Sequence, residues 1–393
     1  MPKFAPLFHC SGCSACFAIC KQKAIAMQPS VEGFLFPEIK QELCIECGQC
    51  EKVCPVLQPF EKREPLQVWA AKNRNEQQRL QSSSGGIFSL LAEQVIAQNG
   101  MVFGAAFNAD LQLKHDYAET WDEVKPFLGS KYLQSDMGDC YSKAKAFLEE
   151  DRTVLFSGTP CQIAGLHKFL NKTYSNLITV DVICHGVPSP AVWESYIGEL
   201  YEDRRYAQVN FRDKSTGWSL YSLCISEKGS EKRLLSETLR ENIYMQGFLK
   251  DLFLRSSCAA CTAKSFRSQS DITLGDFWGI NKFHPEFNDD KGVSAVMVNS
   301  QKGIDFLKHI NMETIPVSYQ EVLLGNPSLE TSITPHPKRE IFFKSFIQQK
   351  KKTSELIVHC LKPSIIFRIK KKLARLLRSL CLLRNTTRVR LGT

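Results

Sequence analysis

Eight cysteines near the amino terminus form two groups with the same spacing. Both groups read C-x2-C-x2-C-x3-C, and each cysteine of the second group lies 34 residues after its counterpart in the first. The first group is Cys10, Cys13, Cys16 and Cys20, and the second is Cys44, Cys47, Cys50 and Cys54. This internal repeat is the spacing of bacterial ferredoxins that hold two 4Fe–4S clusters.

In such ferredoxins the fourth cysteine of each group binds the other cluster. One predicted cluster therefore takes Cys10, Cys13, Cys16 and Cys54, and the other takes Cys44, Cys47, Cys50 and Cys20. The alternative is a pair of four-cysteine zinc sites, which normally use two C-x2-C pairs with a longer gap between them. Four cysteines in close succession favour clusters. The first group ends Cys20-Lys21 instead of the expected Cys-Pro, but its ligand is present.

A second set of cysteines lies further along the chain. Cys161 follows a predicted strand at 153–157, and Cys184 follows another at 177–183. Neighbouring parallel strands end along one edge of a sheet, where open α/β sheets bind ligands, so these two thiols are expected to be close. Cys258 and Cys261 form a C-x2-C pair that can bind one metal or cluster. We expect the remaining cysteines to be small buried hydrophobic residues: Cys140, Cys224, Cys360 and Cys381.

The elements around these cysteines alternate between strands and helices. Each of the two strands above is followed by a turn and a helix, at 161–170 and 191–201, which predicts a parallel sheet with helices on its faces. Later segments resemble antiparallel strands. The predicted fold class is α+β, or mixed α/β: a ferredoxin-like two-cluster domain followed by a domain with a partly parallel sheet.

The chain of 393 residues is long enough for two or three folding units. We predict a two-cluster domain at 1–60, whose core the clusters must supply, and a larger unit at 68–335. A charged, proline-containing stretch at 59–67 links them. Residues 336–393 form a basic tail.

The net charge of +9 is a property of the tail. From Lys338 onward there are 16 Lys/Arg against 2 Asp/Glu, and the remainder is mildly acidic. Residues 363–384 place aliphatic side chains on one helical stripe with cations mostly beside it. This pattern is typical of a helix on an anionic membrane surface and equally of one docked on the body or a partner subunit. Nucleic acid binding is less favoured because the tail has few aromatic residues.

The cellular compartment follows from what the chain lacks. It has no apolar run long enough to span a membrane and no secretory signal at its start. We predict a cytoplasmic protein, and of the two alternatives for the tail, the membrane alternative would place it on the inner face of the membrane. Sixteen cysteines in a reducing compartment are then metal ligands and buried thiols rather than a disulfide framework.

Five motifs carry a resemblance to a known family. They are SSSGGIFSLLAEQ (82–94), GSKYLQS (129–135), FSGTPCQIAGL (156–166), DVICHGVPSP (181–190) and CAACTAKSFRSQSDITLGDFWG (258–279). In this order they resemble the beta subunits of coenzyme F420 hydrogenase/dehydrogenase, with a ferredoxin-like domain fused in front. The resemblance implies a domain that binds FAD and exchanges electrons with iron–sulfur clusters.

The resemblance also joins the two later cysteine pairs into one site. It implies a third 4Fe–4S cluster on Cys161, Cys184, Cys258 and Cys261. The residues alone leave two alternatives open, a catalytic thiol and cysteines with a structural role.

Several residues are candidates for binding the flavin. Ser83, Ser84, Gly85 and Gly86 precede a helical run, and a helix N-terminus attracts phosphate. A serine-rich helix cap without a ligand is the alternative, and the resemblance favours the FAD pyrophosphate. Lys131 is a candidate cation beside phosphate or the flavin ring, or else an exposed lysine.

Two further positions follow the later cysteine motifs. Gly275 and Asp276 suit a tight turn against a ligand, and Trp278 beside them suits the core equally. His185 follows Cys184 and is a candidate proton donor near the flavin. It could also cap a helix or face solvent. Together with Lys131, His185 is a predicted catalytic residue.

The predicted function is that of a cytoplasmic FAD- and iron–sulfur-dependent oxidoreductase. The clusters carry single electrons, and FAD converts them into a two-electron or hydride transfer. The partner is an F420-like deazaflavin, NAD(P)H, ferredoxin or another organic carrier, and no G-x-G-x-x-G nicotinamide motif is present. The alternatives are a non-catalytic electron-transfer subunit of a larger complex and an iron–sulfur redox sensor.

The cysteine repeat leads to a test of the amino-terminal segment alone. Isolated residues 1–60, reconstituted without oxygen, should bind about eight irons, because two cubane clusters hold four irons each. Metal analysis should find acid-labile sulfide equal to iron. Zinc at these cysteines in place of iron would contradict the prediction.

Overall fold

The computed structural model describes residues 2–201, 207–227, 229–230, 232–349 and 351–362. The predicted membrane or docking helix at 363–384, with Cys381, lies outside these residues. The strands of the described part are β1 Ile25–Pro29, β2 Leu35–Ile39, β3 Gln67–Asn73, β4 Met101–Phe107, β5 Leu113–Ala118, β6 Val154–Gly158, β7 Leu177–Val182, β8 Ala207–Asp213, β9 Ser222–Glu227, β10 Arg233–Thr238, β11 Ile272–Asp276, β12 Ser294–Val298 and β13 Met312–Pro316.

The helices alternate with these strands along much of the chain. In the described part they are α1 Ala15–Ile19, α2 Gln49–Lys52, α3 Glu76–Gln81, α4 Ile87–Ala97, α5 Trp121–Val124, α6 Cys140–Glu149, α7 Pro160–Leu170, α8 Pro190–Leu200, α9 Ile243–Leu249, α10 Ile280–Phe283, α11 Gln301–Leu307, α12 Tyr319–Gly325, α13 Arg339–Ile347 and α14 Thr353–Leu361. Among the described residues, no helix is both long and apolar enough to cross a membrane.

The main sheet is mixed. Among the described residues its strand order is β13-β3-β12-β11-β7-β6-β4-β5. The four central strands β11, β7, β6 and β4 are parallel, and the outer pairs are antiparallel. The two predicted strand-helix units are confirmed as β6–α7 and β7–α8. The predicted mixed α/β class with a partly parallel sheet is therefore confirmed.

Alternate residues of the central strands face opposite sides of this sheet, as the pleat requires. Val154 and Phe156 of β6 belong to a core cluster with α6 and α7. Leu155, between them, belongs to a second cluster on the other face with α4. The sheet is thus covered on both faces, which explains the continuous apolar run of β6.

The amino-terminal segment is docked on this body. Its antiparallel hairpin β1–β2 turns at Gly33, which has φ +83°, and a Cβ there would lie 2.3 Å from the Cβ of Ala191 in α8. Phe34, next in the hairpin, is 1% exposed and packs with Trp193 and Phe343 in one core cluster. The two units predicted at 1–60 and 68–335 therefore share a core.

Helices α13 and α14 come from the segment predicted as the beginning of the tail. Phe342 and Phe343 of α13, with Leu356 and Ile357 of α14, lie in the same core cluster as Phe34. This cluster also receives the antiparallel sheet β10-β9-β8. The packed body therefore extends to about residue 361, beyond the predicted boundary at 335.

The buried hairpin gives a test of the shared core. Phe34→Ala should lower the free energy of unfolding by about 3 to 5 kcal/mol, because it removes a fully buried aromatic side chain and leaves a cavity. Anaerobic urea unfolding followed by circular dichroism measures the change. Val31→Ala in the same turn is the control, since Val31 is 73% exposed and should change stability by at most about 0.5 kcal/mol. Equal effects of the two substitutions would contradict the shared core.

Candidate cluster and cofactor site

The first predicted cluster set is brought together from both repeats. Burial raises the pKa of the Cys13 thiol well above its usual value, and the neighbouring thiols of Cys16, Cys54 and Cys10 raise it further. Burial likewise raises the pKa of Cys16 to about 12, again with contributions from Cys10 and Cys54. The fourth cysteine of the second group thus lies with the first three of the first group. In the other predicted set, Cys47 is exposed whereas Cys50 is buried.

Helix α7 connects this cluster set to the later cysteines. Cys161 is near its first turn, and Gly165, one turn on, lies so close to Cys13 that a Cβ would be 3.1 Å from the sulfur. Tyr141 fills the space beside them and donates a hydrogen bond to the carbonyl of Gln162 at 2.7 Å. The two predicted cysteine sites are therefore neighbours on one helix.

The four later cysteines line one cavity of about 50 Å³. Burial raises the pKa of Cys161 to about 11 and that of Cys258 to about 12, with Cys261 also raising both. Burial raises the pKa of Cys184 well above its ordinary value, although the nearby Lys264 ammonium opposes this. Lys264 donates to the carbonyls of Cys184 and Ser328, each at 2.5 Å.

This donor set fits an iron–sulfur cluster. The raised pKa values of the Cys161, Cys184 and Cys258 thiols mean that these groups ionise readily only when a metal supplies the compensating positive charge. Among the described residues, no three His, Cys, Asp or Glu side chains are grouped to hold a single metal ion. A cubane, in contrast, places its own iron and sulfide atoms between four cysteines, each bound to a different iron. The four cysteines that line the cavity supply this number of thiol ligands.

A larger cleft of about 560 Å³ opens beside the cysteine cavity. Most of the predicted flavin and catalytic residues line it: Ser83, Ser84, Gly86, Lys131, His185, Gly275 and Asp276. Gly85 does not line the cleft. Its N–H donates to Ser294 Oγ at 2.9 Å, its carbonyl accepts from Asn73, and a Cβ would lie 2.3 Å from the Ala71 carbonyl oxygen. Gly85 therefore packs the start of α4 against the sheet.

Asp276 is held by a buried arginine that the sequence did not single out. Arg212 makes a two-pronged ion pair with it, at 2.7 and 2.8 Å, and Trp218 Nε1 donates to the same carboxylate at 2.6 Å. Burial opposes the charge of Arg212, but the Asp276 carboxylate raises the arginine pKa above its usual value. Arg212 also donates to the Ser83 carbonyl at 3.0 Å. Asp276 thus fixes the wall of the cleft.

Lys131 lies half-buried at the edge of the cleft. Its ammonium donates to the carbonyls of Pro126 at 2.7 Å and Leu128 at 3.0 Å. Burial lowers the pKa of Lys131 to about 7. The side chain can therefore gain or lose a proton near neutral pH, which an ordinary exposed lysine cannot do.

His185 stands between the cleft and the cysteine cavity and lines both. Its Nε2 lies 2.6 Å from Asp251 Oδ1, and its ring contacts Phe248 edge-on. The carboxylate orients the imidazole, as is common for histidines that exchange protons.

A second histidine in the cleft was missed by the sequence analysis. His115 lies between Ser135 Oγ, 2.8 Å from Nδ1, and the Ser157 carbonyl, 3.1 Å from Nε2. Burial lowers its pKa to about 4, so the ring is neutral at pH 7. Gln162 donates to the same Ser135 hydroxyl at 2.9 Å. His115 is isolated in the sequence, and only the pairing of strands brings it to the cleft.

The cavity and the cleft share one wall. It is the segment 182–187, which follows β7 and lines both spaces together with Ser328. Gly275 of the adjacent β11 lies against this wall, since a Cβ there would be 2.4 Å from Ile183 Cδ1. A group in the cleft would thus be separated from the four cysteines by a single stretch of chain.

The unpaired cysteines agree with their predicted role. Cys140, Cys224 and Cys360 are buried in the protein, at 2%, 7% and 2% exposure. None of them lines the cysteine cavity or the cleft. They are small hydrophobic residues of the core, as predicted.

Comparison with known proteins confirms the predicted resemblance. Residues 151–318 match the family model that describes the C terminus of the coenzyme F420 hydrogenase/dehydrogenase beta subunit. Residues 9–57 match the model of a 4Fe-4S dicluster domain. No curated protein sequence matches the chain. A chain of the F420-reducing NiFe hydrogenase complex from Methanosarcina barkeri aligns with a TM-score of 0.45 and 14% identity, covering 75% of this chain and 91% of that one.

The buried Asp181 at the end of β7 gives a pH-dependent prediction. Burial raises its pKa to about 6, although Ser268, Ser270 and Thr273 hydroxyls lower it in part. A carboxyl with a raised pKa in the folded state stabilises the fold when protonated, and this contribution is lost as pH rises through about 6. Asp181→Asn should remove this loss.

The free energy of unfolding of Asp181→Asn is compared with that of the native protein at two pH values. The difference in favour of the variant should increase by about 1 kcal/mol between about pH 5 and pH 7.5. Anaerobic urea unfolding at the two pH values measures it. Asp305→Asn is the control, because burial of Asp305 is slight and its pKa is lowered by Lys308. A gain that is the same at both pH values would contradict the raised pKa of Asp181.

Proposed function

We propose that the protein is an iron–sulfur flavoprotein oxidoreductase in which electrons pass between 4Fe–4S clusters and FAD. The observation that carries this proposal is the common wall at 182–187, with four cysteines on one side and a ligand-sized cleft on the other. Short separation is what electron exchange between a cluster and a flavin needs. The matches to a dicluster domain and to the C terminus of the beta subunit support the same assignment.

The proposed cluster ligands are the twelve cysteines already described. The eight of the amino-terminal repeat would hold two clusters, and the four lining the cavity would hold a third. Helix α7 would bring the first and third clusters together, because Cys161 and Gly165 are one turn apart and Gly165 contacts Cys13. Electrons would then move from the exposed amino-terminal segment toward the cleft, or in the reverse direction.

The cleft is the proposed site of FAD. Its volume of about 560 Å³ lies within the range of small-molecule and cofactor sites, roughly 300 to 1,000 Å³. When bound, FAD would supply the conversion between one-electron and two-electron transfer. Ser83, Ser84 and Gly86 at the start of α4 would bind its phosphates. Gly275 and the Arg212–Asp276 pair would shape the opposite wall.

Two side chains in the cleft would handle protons. Lys131, with its pKa near 7, would donate or accept a proton at the edge of the cleft formed by Pro126 and Leu128. His185, oriented by Asp251, would do so beside the cysteine cavity. The organic partner would be an F420-like deazaflavin or another two-electron carrier that enters the same cleft.

A second candidate function is that of an electron-transfer subunit without a substrate of its own. The observation in its favour is that apolar side chains are exposed around the second predicted cluster set, which contains Cys44 and Cys47. Leu43 and Ile45, on either side of Cys44, are 44% and 65% exposed, and Cys47 is exposed as well. Such a surface suits a redox partner protein. Contact of the tail with an anionic membrane stays a prediction, because residues 363–384 lie outside the described residues.

Anaerobic iron and flavin analysis of the full chain tests the third cluster. Cys184→Ala and Cys258→Ala should each remove about four of about twelve irons, because a cubane that loses one of four ligands is destabilised. The ferredoxin clusters should remain. Cys224→Ala is the matched control, because the Cys224 thiol is buried but does not line the cavity. The iron content of this variant should equal that of the native protein.

The flavin is tested by the same preparation. Denaturing the protein without substitutions should release about one FAD molecule for each protein molecule. A substrate screen with deazaflavin and dyes then separates the two candidates, since a subunit that only relays electrons reduces dyes but no organic substrate. Unchanged iron in both cysteine variants would mean that the four cysteines are structural. Absence of any flavin would reject the cleft as an FAD site.

A further inference from the structure

Arg255 is a buried cation at the junction of the two cysteine sites. It is 1% exposed, and within the described residues its side chain donates two hydrogen bonds to the amino-terminal segment and one to Gln134 of the body. Nε donates to the Cys10 carbonyl at 2.8 Å, and one Nη donates to the Leu35 carbonyl at 2.9 Å. The other Nη donates to Gln134 Oε1 at 3.0 Å. The guanidinium also lies 4.1 Å from the centre of the Phe36 ring.

The same side chain lines the cavity of the four later cysteines. Burial lowers the pKa of the Arg255 guanidinium, and the neighbouring thiols of Cys10, Cys258 and Cys161 oppose this. The first belongs to the amino-terminal cluster set and the other two to the later set. Arg255 therefore faces both proposed clusters at once.

What Arg255 lacks is a carboxylate. In the described part of the chain no ion pair joins it to Asp or Glu, whereas Arg212, Arg79 and Arg339 pair with Asp276, Asp289 and Glu32. A buried charge without a counter-charge is strongly unfavourable. Its neutral hydrogen-bond partners orient the guanidinium but do not neutralise it. Among the described residues, the groups beside Arg255 that could supply a compensating negative charge are the cysteine sites.

We infer that Arg255 is a positioning residue whose fixed charge favours the reduced states of the first and third clusters and links their reduction potentials. This inference rests on the proposed function, since it takes both clusters as present. Reduction adds one electron, supplied by the external donor, to the iron of a cluster. No bond forms or breaks, and the cluster gains one negative charge. A nearby buried cation attracts that charge, because the low dielectric of the interior strengthens the interaction.

The second cluster provides an internal reference. Arg255 donates a hydrogen bond to Cys10 of the first set, whereas its side-chain hydrogen bonds within the described residues reach none of the second cluster's proposed ligands, Cys44, Cys47, Cys50 and Cys20. Removing the charge of Arg255 should therefore change two of the three one-electron transitions and leave the other unchanged. A general loosening of the fold would not select in this way.

The test is an anaerobic redox titration of the full protein followed by electron paramagnetic resonance. Arg255→Gln should lower the equilibrium constant for reduction of two clusters at least tenfold, which is 59 mV for a one-electron couple. Gln134→Glu should act in the same direction with nearly unchanged shape, because it places a carboxylate against Arg255. Arg255→Lys, which keeps the charge, should retain potentials closer to those of the native protein.

Arg339→Gln is the matched control for structure. Arg339 also ties the amino-terminal hairpin to the body, through Glu32 and the Leu254 carbonyl, but it does not line the cavity. Its substitution should leave all three transitions in place. If Arg255→Gln does not retain its iron, Gln134→Glu decides the matter, because it alters charge with little change in volume.

The outcomes separate this inference from the proposed function. Unchanged cluster reduction potentials in an Arg255→Gln or Gln134→Glu protein that retains its iron overturn the inference about Arg255. An equal shift of all cluster reduction potentials in the Arg339→Gln protein also overturns it. A native iron content of about eight would instead reject the third cluster. The change in reduction potential of the first cluster alone would then still test whether the charge of Arg255 favours the reduced state of that cluster.

Discussion

The parallel pairing of β6 with β7 is the constraint on which the site depends. The register of this pair places Gly158 opposite Asp181. The segments that follow β6 and β7 therefore leave the sheet side by side at one edge. The next residues lead into α7 with Cys161 and into the loop with Cys184. Their proximity is therefore a property of backbone hydrogen bonding in the sheet, and it does not require a metal to be bound. The C-x2-C pair, Cys258 and Cys261, needs only to approach this edge from one side.

The walls of the cleft are held by cationic side chains as well as by the sheet. Lys214 donates to the carbonyls of Arg79, Ser84 and Lys291, and Arg212 joins Ser83 to Asp276. These contacts fix the serine-rich segment against strands that are distant in sequence. Arg255 makes the corresponding contacts between the amino-terminal segment and the cysteine cavity, with the difference that it has no carboxylate partner in the described residues. The shape of the cleft and the charge in the cavity thus depend on few side chains.

Patterns with fixed spacing or periodicity could be predicted from the sequence. The cysteine repeat, the two strand-helix units and the adjacency of Cys161 and Cys184 each follow from local spacing or from the geometry of parallel strands. His115, Arg212 and Arg255 could not be predicted in this way. Each is a single polar residue whose partners lie 20 to 245 positions away in the chain, so only the tertiary pairing of elements makes it meaningful.

The role of Gly85 and the extent of the body illustrate the same limit. Gly85 stands within the motif that predicted phosphate binding, yet the close approach of β3 is what requires a glycine there. Helices α13 and α14 belong to a basic stretch of sequence, which favoured a separate tail. The phenylalanines of α13 pack on Phe34 and Phe253, and α14 packs on α8 and α9, because a few buried apolar side chains outweigh the charge of an exposed face.

The contact between Cys13 and Gly165 has a consequence for how the protein matures. Cys13, just before α1, is buried against Gly165 of α7, and Phe34 of the same segment lies in a central core cluster. A ligand that binds only the folded state stabilises it by mass action, so iron insertion and docking of the amino-terminal segment must favour each other. The apoprotein is then expected to hold this segment less firmly, which leaves the thiols open to a cluster donor. Cluster delivery would thereby also complete the fold, and loss of a cluster to oxidation would expose the interface again.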